Sequence, residues 1–297
     1  MASIIRELLK QNKILLSDGA MGTELQKRGL KQGECPELYN VDHPEVVQAI
    51  HKDYYDAGSD IVETNSFGGT RARLAKYDLS DKAYLLNKRA AELARQVCPE
   101  GRFVAGSMGP TGELLEPYGE LSVQKAKDYF KEQAEALAEG GVDIFFIETM
   151  ITLEEMAAAI EAVKEVGSLP VAASFTYELS PTGAHTNWGL DVATTVKFLS
   201  EADVDVMGAN CGEGVDVILQ VVREMRELSE MPILAQPNAG LPEIKNNLIV
   251  YHETPESMEE KLRELIGLKI NILGGCCGTN ANHIQMMRRL IDQQNAE

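Results

Sequence analysis

The chain has 297 residues, and 46 acidic against 28 basic side chains leave it a formal net charge of -18 at pH 7. That balance argues against a nucleic-acid binder or an anionic-membrane binder, because phosphate surfaces call for clustered Lys and Arg, and no apolar stretch approaches the ~20 residues that cross a bilayer. Five cysteines, an odd number, with no secretory leader in view, argue against an extracellular disulfide framework and for a reducing cytoplasm.

Short apolar, β-branched runs alternate with helical periodicity along the whole chain. They predict strands at 13–18, 60–65, 102–108, 143–149, 170–177, 204–211, 232–238 and 270–276. Helices are predicted at 43–57, 82–97, 122–139, 153–166, 191–202, 214–229 and 255–267, with a last one at 280–293. The turns Ala57-Gly58-Ser59-Asp60 and Gly140-Gly141-Val142-Asp143 resemble each other, each placing a C-cap glycine before a strand. Eight β-then-α units, with no Pro/Gly/Ser-rich linker or low-complexity segment, favour a single (β/α)8 TIM barrel as one domain over 1–297. The alternative is a doubly wound open sheet, for which six strands suffice. Glu154-Glu155 and Glu259-Glu260, on helices, read as solvated outer faces, and Met286 and Met287 as core.

Barrel enzymes draw their reactive groups from the C-terminal ends of strands, and here those ends are polar. They carry Asp18, Glu63-Thr64-Asn65-Ser66, Ser107, Glu148-Thr149, Asn210-Cys211, Gln236-Pro237-Asn238 and Cys276-Cys277. Adjacent cysteines diverge inside a regular strand, because successive side chains point to opposite faces. Gly274, Gly275 and Gly278 are expected to release the backbone from the pleat so that Cys276 and Cys277 converge, with Cys211 as a third thiol. Three thiolates leave a tetrahedral zinc one ligand short, the pattern of a catalytic site with an exchangeable position. The competing readings are a vicinal disulfide and small apolar fillers. Cys35 and Cys98 have no clustered partner and read as inert, and none of His43, His51, His252 and His283 has ligand spacing.

Seven segments in order, DGAMGTELQKRG (18–29), ETNSFGGTR (63–71), GSMGPTGE (106–113), FIET (146–149), GANC (208–211), QPNAGLP (236–242) and GGCCGT (274–279), are similar to the homocysteine S-methyltransferase family. The resemblance implies zinc held by Cys211, Cys276 and Cys277, with the thiol of L-homocysteine or a similar acceptor in the fourth place. A free thiol of pKa ~8.5 is only a few per cent thiolate at pH 7, and coordination removes that proton. It also implies that Asp18 and Glu148 are the acidic positions near the substrate, with Glu148 on the ammonium and Asn238 and the Ser107 region on its other polar atoms. An Asx-type turn at Asp18 and an internal ion pair at Glu148 are the competing readings.

The family uses several methyl donors. The stretch 106–121 resembles its cobalamin-using branch, so the expected donor is methylcobalamin or another methylcorrinoid, carried on a separate corrinoid protein or domain. A small donor such as S-methylmethionine or betaine instead needs a second pocket with aromatic or acidic groups, for which Tyr118, Tyr177 and Trp188 are candidates, with His185 beside Trp188. A non-catalytic zinc-binding or sensing protein is the reading of another class, and it has no use for Asp18, Glu148 and Asn238 around the same mouth.

Overall fold

The computed structural model describes residues 2–11, 13–245 and 248–295. Eight parallel strands are arranged as a barrel: β1 (Leu15–Leu16), β2 (Ile61–Glu63), β3 (Phe103–Met108), β4 (Ile144–Met150), β5 (Val171–Phe175), β6 (Val206–Cys211), β7 (Ile233–Pro237) and β8 (Ile272–Leu273). Their order is β1-β8-β7-β6-β5-β4-β3-β2. The remaining seam, between β1 and β2, is joined by the backbone bond from Asp60 N to Leu16 O at 2.6 Å and by Leu16 N donating to Asp60 Oδ2 at 2.8 Å. Arg102 and Arg288 hold that aspartate from the flanks. The helices surround this barrel, so the (β/α)8 expectation is met.

Alternation along the strands builds two cores. Leu15, Ile61, Phe103, Ile144, Val206 and Ile272, near the strand starts, point inward and meet Phe146 and Leu234 inside the barrel. Their neighbours Leu16, Val62, Val104, Phe145, Met207 and Leu273 point outward and bury against the helix ring. The helix Ala2–Lys10, which the sequence reading lacked, inserts Ile5 and Leu9 into the inner cluster and so plugs the end of the barrel opposite the strand C-termini. Its Arg6 makes a two-pronged bond to Asp205, at 2.6 and 3.1 Å.

The long helices match their predicted spans to within a residue or so, and Ser122, Thr152, Asp191, Thr254 and Asn280 cap their N-termini with side-chain acceptors. Gly58 and Gly141 take the left-handed conformation expected of them, with φ 109° and 99°. Two differences bear on the site. Strands β1 and β8 span only two residues each, although backbone bonds continue past them, from Ser17 N to Leu273 O, Gly274 N to Ala235 O and Gly275 N to Asp18 O, as the chain turns to line the mouth. Glu155 is not solvated as expected: it is 4% exposed, and its carboxylate accepts from the backbone N–H and hydroxyl of Thr111 at 2.8 and 2.6 Å. That bond anchors the loop after β3 onto the helix after β4. Met286 and Met287 are core as expected, and no described helix is long and apolar enough to cross a membrane.

Candidate metal centre

Cys211 is the last residue of β6, and it sits in the left-handed region at φ 64°, followed by Gly212 at 71°. A non-glycine residue held there is strained and persists only where its surroundings impose it. Cys276 and Cys277 lie beyond β8 in a loop pinned on several sides. Gly275 N donates to Asp18 O at 2.8 Å, Cys276 N to Pro237 O at 2.8 Å, and Ala239 N to Cys277 O at 2.9 Å. Of the three glycines expected to supply unusual angles, only Gly278 does, at φ 84°. Gly274 and Gly275 serve close approach instead, since a Cβ on Gly275 would lie 2.3 Å from Thr279 Oγ1 and one on Gly274 2.8 Å from Ser17 Cβ.

The outcome is that the three sulfurs come together, all within 4.8 Å of one another, and all three cysteines are free. A tetrahedral ion with sulfur bonds of ~2.3 Å holds its sulfurs roughly 3.8 Å apart, so the cluster fits a metal ion with a small contraction. The thiols already share protons: Cys211 lies below the usual thiol range because Cys276 and Cys277 donate to it, and those two are pushed up by the same contact. A site that concentrates negative charge on sulfur and offers no cation of its own suits a soft divalent metal.

Beside the sulfurs lies a polar floor assembled from most of the strand ends. Asn210 links the two, its Nδ2 donating to Thr149 Oγ1 at 2.7 Å and Glu148 Oε2 at 3.3 Å and lying 4.0 Å from Cys276 Sγ, while its Oδ1 accepts from Thr149 N and Ser174 Oγ. Glu148, 8% exposed, also accepts from Ser107 Oγ at 2.5 Å. Asp18, 1% exposed, accepts the backbone N–H of Glu63 at 3.0 Å, a cross-strand bond rather than an Asx turn. Asn238 donates to Gly212 O at 2.5 Å, leaving its buried Oδ1 without a donor. Burial first, and then the neighbouring Glu63 charge, push both Asp18 and Glu148 well above the usual carboxylate range. Among the described residues no Lys, Arg or His pairs with either, so the internal ion pair considered for Glu148 is not formed there.

Four of the residues in this arrangement were implied as candidates by the family resemblance: Asp18, Ser107, Glu148 and Asn238. Two were not, Glu63 and Asn210, although both stand at strand ends that the sequence marks as polar.

Tyr118 and Trp188 pack edge to face at 5.2 Å on the rim. They line a cavity of about 350 Å³ with Glu113, Leu114, Glu116 and Glu154. Tyr177 does not join them, being fully buried with its hydroxyl 2.6 Å from Thr195 Oγ1. His185 belongs to the hairpin Glu178–Ser180/Gly183–His185 and bonds Gly183 O within it. Cys35 stands apart from the cluster, its buried thiol donating to the Glu37 carboxylate at 3.2 Å and raised to about 12.

A family model described as homocysteine S-methyltransferase matches residues 15–291. Proteins named methionine synthase from Mycobacterium leprae (strain TN) and Mycobacterium tuberculosis (strain ATCC 25618 / H37Rv) are each 32% identical over 92% of this chain, which spans 24% of their length. The metallated form of the homocysteine methyltransferase MmuM from Escherichia coli superposes with a TM-score of 0.79 at 26% identity, covering 96% of this chain and 99% of that one.

Proposed function

From the premise that this chain belongs to the homocysteine S-methyltransferase family, we propose that it methylates homocysteine to methionine at a zinc centre held by Cys211, Cys276 and Cys277. The observation that carries this is the convergence of three free thiols, within 4.8 Å of one another, against a buried acidic floor to which the described residues bring no cation. Zinc, when bound, supplies the charge that lets an acceptor thiol lose its proton and act as a nucleophile at neutral pH. The chain's own groups do the rest. Glu148, fixed by Ser107 and Asn210, receives the substrate ammonium; Asp18 adds negative potential behind it; and the free Oδ1 of Asn238 takes one further donor. Ser107 holds the Glu148 carboxylate in place, so its loss is expected to raise KM more than to lower kcat. We read 1–297 as one barrel domain working in the cytoplasm.

For the donor, the similarity to methionine synthases supports a methylcorrinoid presented by a separate protein or domain. One observation favours a second reading: the rim cavity combines Tyr118 and Trp188 with Glu113, Glu116 and Glu154, a setting suited to a small cationic donor such as S-methylmethionine or betaine. Assaying methylcobalamin, S-methylmethionine and betaine side by side with L-homocysteine separates them, and the corrinoid reading requires methylcobalamin to be the preferred donor. Zinc-edge X-ray absorption tests the centre itself. Three sulfur neighbours in the metal-replete protein should become four on adding L-homocysteine, and an unchanged count or absence of zinc overturns the assignment.

A further inference from the structure

Glu63 closes β2, and its side chain enters the same floor. Its Oε1 accepts from Gln236 Nε2 at 2.5 Å and Ser17 Oγ at 3.3 Å. Its backbone N–H is bonded to the Asp18 carboxylate at 3.0 Å, and its charge bears on Glu148 as well. Of the three acidic groups it is the least buried: Asp18 and Glu148 are exposed to 1% and 8%, whereas Glu63 is half-buried. A second feature points to a ligand. Gln236 is 2% exposed with its head group on Glu63, yet its Oε1 has no donor, and Asn238 Oδ1 beside Cys211 is orphaned in the same way. Three carboxyl groups and two orphaned amide oxygens gather at neighbouring strand ends, and the described residues bring them no cation. The complementary group is one with several donors and no acceptor, a primary ammonium.

We propose that Glu63 is a specificity-determining residue, which together with Glu148 receives the ammonium of the thiol acceptor and so selects amino-acid thiols over thiols lacking an amino group. The inference rests on the thiol-methylating function proposed above. Two neighbouring carboxyl groups resist ionising together without a cation, so the empty pair is expected to retain one proton. When the ammonium enters, that proton passes to solvent, both groups become carboxylates, and the ammonium keeps its own protons.

Calorimetry on the full zinc-loaded chain tests this with L-homocysteine and its desamino analogue 4-mercaptobutanoate. In Glu63→Gln, homocysteine affinity should fall by about tenfold or more, the scale of one lost charge-assisted contact, with the analogue nearly unaffected. The wild-type protein, titrated in buffers of different ionisation enthalpy, should release about one more proton with homocysteine than with the analogue, the one the empty pair had retained. That comparison needs no variant and stands even if Glu63→Gln fails to fold. An equal loss for both thiols, no loss for either, or equal proton release overturns the role of Glu63 alone. If neither thiol binds the wild-type protein, the proposed function fails and this inference with it.

Discussion

At the scale of single residues, the site and the frame respond to pH in opposite senses. His51 is fully buried in the helix Pro44–Asp56, neither ring nitrogen has a partner, and burial lowers its pKa from 6.5 to about 3. Between those values the unfolded chain binds the proton and the folded chain does not. Stability contributed by neutral His51 is therefore intact above 6.5 and is lost as pH falls toward 3, by about 1.4 kcal/mol per pH unit. Asp18, Glu63 and Glu148 act the other way, because their folded pKa values are raised and they favour the folded state as pH falls. His51→Leu isolates the first effect. Urea unfolding at pH 7 and pH 5 should show the variant gaining roughly 2 kcal/mol over wild type on going to the lower pH, and parallel pH dependence in the two proteins refutes it. The sequence marked the cysteines because a vicinal pair between glycines is rare and chemically pointed. It gave no such mark to Asn210 or Glu63, since a polar residue at a strand end looks alike whether it faces the mouth or a helix, and only the pairing across strands decides.

At the scale of elements, periodicity located the helices well and overextended β1 and β8. The apolar run 270–273 carries β propensity up to the glycines, and there the regular pairing stops although single backbone bonds persist, because Gly274 approaches Ser17 too closely for a side chain. The helix Ala2–Lys10 was missed for a related reason. Its nine residues are strongly amphipathic, but they precede the first strand and their purpose, filling the bottom of a barrel, exists only once the barrel is closed. Ile5, fully buried in the inner cluster that also holds Phe103 and Phe146, makes the consequence measurable. Ile5→Ala should cost about 2–4 kcal/mol by transfer and cavity terms while leaving metal stoichiometry unchanged, as read by chemical denaturation and metal analysis. A cost well under 1 kcal/mol would show that the helix does not plug the barrel.

At the scale of the molecule, stability and chemistry occupy opposite ends of the barrel, as this architecture allows. The inner cluster and its helical plug lie toward the strand N-termini, whereas the cysteines stand on loops and a strand end at the other rim. Small zinc domains fold only around their metal, because the ligand set is most of what holds them. Here the loop bearing Cys276 and Cys277 is already fixed by backbone bonds to Asp18, Pro237 and Ala239, and the outer core between strands and helices is continuous without it. Metal removal should therefore lower the melting temperature by mass action without unfolding the chain. After exhaustive chelation, far-UV circular dichroism and a single cooperative melt should persist while homocysteine binding disappears, and zinc should restore both the original melting point and the binding. Loss of the cooperative melt on chelation would instead make the three cysteines part of the fold itself, and the division between a stabilising end and a reactive end would not hold for this barrel.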